Sequence, residues 1–99
     1  MGHNSNNKCE ISSITELVPT QPLTKSSKQM KRLSKEIDEA GTILIPIKYV
    51  VSNGIKHIVD GHHRVALAKR KGIKDIFTEE VKLPYKGYFT EKDLEYSQY

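Results

Sequence analysis

Ser52-Asn53-Gly54 separates two strand-like runs, and no other feature of the chain restricts its fold as strongly. Residues 43–51 (ILIPIKYVV) are apolar and β-branched, and residues 55–59 (IKHIV) alternate. Asn and Gly both tolerate the positive φ that a two-residue hairpin turn demands, so this spacing predicts a β-hairpin. Pro46 has no N–H to give to a ladder. It is expected to put the first strand at a sheet edge or to mark a bulge there. The second strand runs directly into Asp60-Gly61-His62-His63-Arg64. Val65 to Gly72 then read as a short helix with Val65, Leu67 and Ala68 turned inward.

Other segments supply the rest of one small domain. From Lys25 to Ala40 the apolar residues Met30, Leu33 and Ile37 recur at spacings of three and four, which is one helix face. Thr24, Ser26 or Ser27 can cap its start, and Gly41 stands where a helix C-cap belongs. Residues 75–83 (DIFTEEVKL) predict a third strand with Ile76, Phe77 and Val81, stopped by Pro84. Residues 11–19 offer a short extended piece with Ile14, Leu17 and Val18. Pro19 and Pro22 then hold Thr20 and Gln21 extended or in turns. The division expected is a polar, disordered leader at 1–10, a folded domain at 11–84, and a tail at 85–99. The tail carries four of the five tyrosines, and Thr90 is placed to cap a last helical turn through Asp93-Leu94-Glu95-Tyr96.

Composition narrows the class. Hydrophobic residues make up 36% of the 99 and there is no Trp, so the core should be aliphatic. No apolar run approaches a membrane span. The first eight residues are polar, unlike a secretory signal, and the single cysteine, Cys9, has no internal partner; both favour a reducing cytoplasm. The net charge of +4 is mild but clustered, in Lys25, Lys28, Lys31, Arg32 and Lys35 and again in Arg64, Lys69, Arg70, Lys71 and Lys74. Most of these charges are explained by a solvated helix face. Lys28, Lys31, Lys69 and Arg70 are the candidates for contact with a nucleic-acid backbone.

The chemistry concentrates at the strand-to-helix turn. The first turn of a helix leaves backbone N–H groups unpaired, and the macrodipole adds positive potential beside them. Gly61 permits a sharp turn and a close approach of ligand to backbone. Arg64 can give two parallel hydrogen bonds to phosphate oxygens, and His62 and His63 add imidazole donors. Asp60 can cap the helix, hold a histidine tautomer, or carry a metal that bridges phosphates. Asp-Gly is also an ordinary turn, and adjacent histidines point apart on a helix, which makes them poor joint metal ligands. His57 lies close in sequence, yet no zinc spacing appears. Five polar residues packed into one such turn favour a phosphate site.

The order of elements resembles the ParB/sulfiredoxin superfamily over about residues 12–83. The residues that carry the resemblance are Leu17-Val18-Pro19-Thr20-Gln21-Pro22, the helix ending in Gly41, Ile45-Pro46-Ile47, and Ile58-Val59-Asp60-Gly61-His62-His63-Arg64 with Ala66, Ala68 and Gly72. The resemblance implies an α+β fold, a small mixed sheet with a β-hairpin and two or three helices. It also implies a turn that binds nucleotide phosphates. ParB partition proteins usually have Gly-Glu-Arg-Arg at this turn, and sulfiredoxins have Gly-Cys-His-Arg with a catalytic cysteine. Here that position is His62, which excludes sulfinic-acid repair. The Asp-Gly-His-His-Arg form is similar to the branch holding free-serine kinases and small ParB-like proteins labelled nucleases. In the kinases a glutamate near the first proline segment acts as base; here Thr20 and Gln21 stand there, and Gln cannot take a proton. Partition proteins carry a helix-turn-helix domain after this one, for which residues 84–99 are too few.

The reading favoured on sequence is a nucleotide- or nucleic-acid-directed enzyme. It would hydrolyse or transfer the phosphate of ATP or CTP, or cleave a phosphodiester. Asp60, His62 and His63 would be catalytic, Gly61 to Arg64 would bind phosphate, Thr20 and Gln21 would face substrate, and Asp60 would hold Mg2+. Close behind stands a non-catalytic nucleotide- or DNA-binding accessory module of a phage or plasmid, and further back a protein-protein inhibitor. A homodimer is an expectation in each case.

Overall fold

The computed structural model describes residues 9–95. Five strands, β1 (Cys9–Ser13), β2 (Leu17–Val18), β3 (Ile47–Ser52), β4 (Ile55–Asp60) and β5 (Asp75–Glu80), and two helices, α1 (Ser27–Ala40) and α2 (His62–Arg70), form the domain. The strands make one mixed sheet in the order β1-β5-β3-β4-β2. β3 pairs antiparallel with β4 and parallel with β5; β1 closes one edge antiparallel to β5, and β2 the other parallel to β4. This is the α+β fold with mixed sheet and hairpin that the resemblance implied.

Local chemistry explains most element boundaries. Asn53 (φ 54°) and Gly54 (φ 76°) both take the left-handed conformation, and Ser52 pairs with Ile55 across the expected two-residue turn. Ser26 caps α1: its side chain accepts from the Gln29 backbone N–H, while the Gln29 side chain accepts from the Ser26 N–H. Gly41, at φ 80°, ends the helix. In the tail, Glu91–Leu94 forms a single 3-10 turn. Thr90 is its N-cap residue, as expected, and the Asp93 carboxylate accepts from the N–H groups of Phe89 and Thr90; Tyr96, the expected end of the turn, lies outside the described residues.

The placement of Pro46 differs from expectation. β3 starts one residue later, at Ile47, and lies in the middle of the sheet between β5 and β4. Proline is tolerated because it precedes the ladder instead of sitting in it. The irregularity in the hairpin falls at Lys48/Tyr49, where β4 carries an extra residue. Of residues 43–46, Ile43 packs into the core, whereas Leu44 and Ile45 are 67% and 65% exposed. β5 ends at Glu80, three residues short of the expected strand. Cys9 and Glu10, read as the end of the leader, belong to β1; residues 1–8 lie outside the described residues.

Two apolar clusters sandwich the sheet. The helices cover the larger one, in which Ile37, Ile43, Ile47, Tyr49, Ile58, Val65, Leu67, Ala68 and Ile76 meet. The residues after β5 cover the smaller, made by Val50, Val59 and Leu94 with Val81, Leu83, Tyr85 and Tyr88 packed against them. The tail thus closes the second face of the sheet, and this is why β5 stops early: Val81 and Leu83 turn to pack. Ile47 is fully buried under the helices. Truncating it to Ala should cost about 2–5 kcal/mol in urea unfolding, whereas Leu44→Ala should cost less than about 0.5 kcal/mol. Equal costs at the two positions would contradict the core described.

Candidate functional site

α2 begins at Gly61, whose φ of 105° only glycine adopts without strain. The space is closed as well. A Cβ there would stand 2.5 Å from Ile47 Cδ1 and 3.2 Å from Arg64 Nη2. The first helical bond runs from the Val65 N–H to the Gly61 carbonyl at 3.0 Å. The N–H groups of His62, His63 and Arg64 therefore precede the ladder and are free of intrahelical partners. They open on a cleft of about 410 Å³ lined by Gln21, Lys25, Leu33, Glu36, Ile45 and the turn from Val59 to Arg64.

The histidines do something other than what their sequence position suggests. His62 is buried, and its Nε2 lies 3.0 Å from the Thr20 backbone N–H, which donates to it. His63 Nε2 accepts in the same way from the N–H groups of Thr24 and Lys25, at 2.9 and 3.1 Å. A nitrogen that accepts an N–H carries no proton, so each ring is neutral with its hydrogen on Nδ1. Burial pushes the His62 imidazolium down to about 4, the neighbouring His63 adding to the effect. Burial, and then the charge of Lys25, lower His63 as well. The pair fastens residues 20–25 onto the start of α2. Their divergence on the helix, a fault in metal ligands, lets them grip that segment at two points.

Arg64 also divides its work. Its Nη1 donates to the Ile45 carbonyl at 2.8 Å, tying the α1–β3 connection to the helix, and the residue also lines the cleft. Lys25 and Arg64 are offset there by Asp60 and Glu36. The four formal charges cancel, so an anion would depend on the helix N–H groups and on any cation it brings. Asp60 fits the habit of Mg2+, which takes one or two carboxylates and completes its shell with phosphates and water. Among the described residues no group of three His, Cys, Asp or Glu side chains could hold a metal unaided.

The structure brings together Gln21, Asp60, Gly61, His62, His63 and Arg64 at one cleft. Thr20 stands behind it, buried, with its hydroxyl donating to the Ile58 carbonyl at 2.6 Å. The candidate nucleic-acid residues scatter. Lys31 and Arg70 line one groove of about 450 Å³ between α1 and α2, joined by Lys25. Lys69 borders a separate apolar pocket of about 190 Å³ with Pro19, Pro22 and Val65. Lys28 is exposed and lines neither. His57 stays on β4 away from the cleft, its buried Nδ1 without a hydrogen-bond partner among the described residues. Sequence reasoning missed Glu36 and Leu33, which come from α1, and Tyr88, which reaches the Thr20 hydroxyl from the tail at 2.7 Å. The α1 periodicity could have pointed to Leu33; nothing in the sequence pointed to the other two.

Solved structures share this architecture. A C-terminally truncated chromosome-partitioning protein ParB from Caulobacter crescentus, complexed with CTP-gamma-S, is similar at a TM-score of 0.67 and 24% identity, over 88% of this chain and 48% of that one. A free serine kinase in complex with AMP is similar at 0.60 and 23%, over 80% and 32%. A conserved hypothetical protein from Pyrococcus furiosus is similar at 0.68 and 18%, over 81% and 34%. The chain thus has the ParB/sulfiredoxin-like fold, and it spans about half the length of that ParB structure and about a third of the other two. No protein-family model and no curated protein matches the sequence.

The two histidine latches make stability depend on pH. In the unfolded chain His62 takes a proton near 6.5, and in the fold only near about 4. The unfolded state binds more protons between those values, so the contribution of His62 is complete above about pH 6.5 and is lost as pH falls toward about 4. His63 acts in the same direction. The urea midpoint should fall across that window, and less steeply in His62→Gln, whose amide oxygen accepts from Thr20 without titrating. Identical slopes in the two proteins would contradict the latch.

Proposed function

We propose that this domain binds a nucleoside triphosphate with Mg2+ in the cleft at the amino end of α2, and holds it without cleaving it. The observation that carries the reading is the turn itself: three helix N–H groups without intrahelical partners, Arg64, and a glycine kept bare by Ile47 all border one cleft. Two proteins of the same fold were solved with CTP-gamma-S and with AMP, which supports a nucleotide over a lone anion. The cancelled charge in the cleft supports a role for the cation. Binding is favoured over catalysis because the ring nitrogens that would shuttle protons accept backbone N–H groups. Only Asp60 and Glu36 remain as groups able to act as base.

Calorimetric titration with ATP, CTP, GTP and UTP tests this. At least one should bind in Mg2+ and lose affinity in EDTA. Arg64→Ala and Lys25→Ala should each weaken it by about tenfold, the scale of a charge-assisted hydrogen bond. No phosphate should be released. Absence of any nucleotide binding would sink the reading, and turnover abolished by Asp60→Asn would replace it with phosphoryl transfer.

The groove bordered by Lys25, Lys31 and Arg70 supports a second reading, contact with a nucleic-acid backbone. Binding of a labelled duplex should weaken with salt, and the slope of log K against log salt should fall by about one in Lys31→Ala and again in Arg70→Ala. Plasmid incubated with the protein should stay uncut. A salt slope unchanged by both substitutions would remove nucleic acid from consideration.

A further inference from the structure

Tyr88 lies in the tail, beyond the last strand, and its ring packs in the smaller apolar cluster against Val50, Val59 and Leu94. Its backbone is fixed by a tight turn: the Tyr85 and Tyr88 N–H groups each donate to the other residue's carbonyl, both at 2.8 Å. Lys86 (φ 38°) and Gly87 (φ 93°) supply the left-handed positions that such a turn requires. From this base the hydroxyl reaches the edge of the sheet beside β4. There it lies 2.7 Å from Thr20 Oγ1 and 3.2 Å from Gln21 Oε1.

The hydrogen bonding around Thr20 can be followed proton by proton. The Ile58 carbonyl only accepts, so its 2.6 Å contact takes the Thr20 hydroxyl hydrogen. His62 Nε2 takes the Thr20 N–H, so its 3.1 Å contact with the Thr20 oxygen carries no hydrogen. The Thr20 oxygen then has lone pairs left and no hydrogen to give, and the Tyr88 O–H supplies one. The same oxygen of Tyr88 borders the Gln21 amide, which lines the cleft. Helix α2, strand β4 and the tail thus converge on one buried threonine, next in the chain to the glutamine that lines the cleft.

We infer that Tyr88 is a positioning residue for the cleft: through the hydrogen bond it gives the Thr20 oxygen it holds Thr20, and with it the adjoining Gln21, in the shape that forms the cleft wall. The residues after β5 are then part of the site as well as cover for the core. The consequence for ligand affinity rests on the nucleotide reading above; the consequence for the segment's geometry does not.

Tyr88→Phe keeps the packed ring and removes only the hydroxyl. In the full chain, amide exchange followed by NMR should show the Thr20 N–H exchanging about tenfold faster in this variant, the scale expected for one lost hydrogen bond. Core amides such as that of Ile58 should be unchanged. Thr20→Val, which removes the hub oxygen, should weaken nucleotide binding, and Tyr88→Phe added to it should have no further effect. Thr20 exchange unchanged in Tyr88→Phe would overturn the inference, as would faster exchange shared equally by all core amides, because the hydroxyl would then serve overall stability only. A wild-type protein that binds no nucleotide would defeat the nucleotide reading and leave Thr20 exchange to decide the role of Tyr88. Wild-type binding with Tyr88→Phe indistinguishable from it would defeat the role of Tyr88 alone.

Discussion

The hydrogen bond from the Thr20 N–H to His62 Nε2 joins two parts of the chain that are 42 residues apart. On one side is a segment with little secondary structure, bracketed by Pro19 and Pro22. On the other is the first turn of α2, whose own N–H groups must stay free if they are to meet an anion. A flexible segment beside such a turn would be as apt to fill the cleft as to border it. Burying the bond strengthens it and makes its loss costly, since both groups would be left unsatisfied away from water. The second latch, from Thr24 and Lys25 to His63, repeats the arrangement closer to solvent and sets the start of α1 relative to α2. The walls of the cleft therefore depend on two neutral imidazoles.

That dependence alters what the Asp-Gly-His-His-Arg sequence means. Read as a string, it concentrates donors and proton carriers at a helix start. Folded, it assigns one task to each residue. Gly61 clears space against Ile47, His62 and His63 accept backbone N–H groups, and Arg64 braces Ile45 and also lines the cleft. Asp60 alone keeps an uncommitted side chain. A phosphate bound at this turn would thus rest on main-chain N–H groups more than on the side chains that drew attention to it.

How much of this was legible in the sequence follows from the range of each interaction. The hairpin at Asn53-Gly54 and the Ser26 and Gly41 caps are settled by residues within four positions of one another and could be read directly; the turn at Gly61 could be read too, but not the Ile47 side chain that keeps it bare. The position of β3 could not. Its apolar run continues through Leu44 and Ile45, which the fold leaves exposed, and only the pairing with β5 shows that the strand starts after Pro46. The gathering of Gln21 and the turn was expected from the resemblance. Glu36 and Tyr88 join the site from other elements across long separations, and no local pattern records that. The partners of the histidines were not legible for the same reason, because what an imidazole bonds is set by the segment it meets.

A histidine at 62 also has a cost that a different side chain would avoid. A buried asparagine or glutamine could accept the Thr20 N–H at any pH, whereas imidazole can take a proton and convert an acceptor into a donor facing another donor. Imidazole offers rigidity in return: two torsions place Nε2 farther from the backbone than an amide oxygen of similar freedom, and the ring fills volume against Ile58 and Val65 at the floor of the neighbouring apolar pocket. Where the segment must be held at a set distance from the helix, a stiff acceptor of that length fits better than a flexible one. The same geometry explains why two adjacent histidines serve here. Successive helix residues point about 100° apart, and two rigid acceptors so directed meet a segment that passes across the helix start at Thr20 and again at Thr24, which a pair of metal ligands could not do.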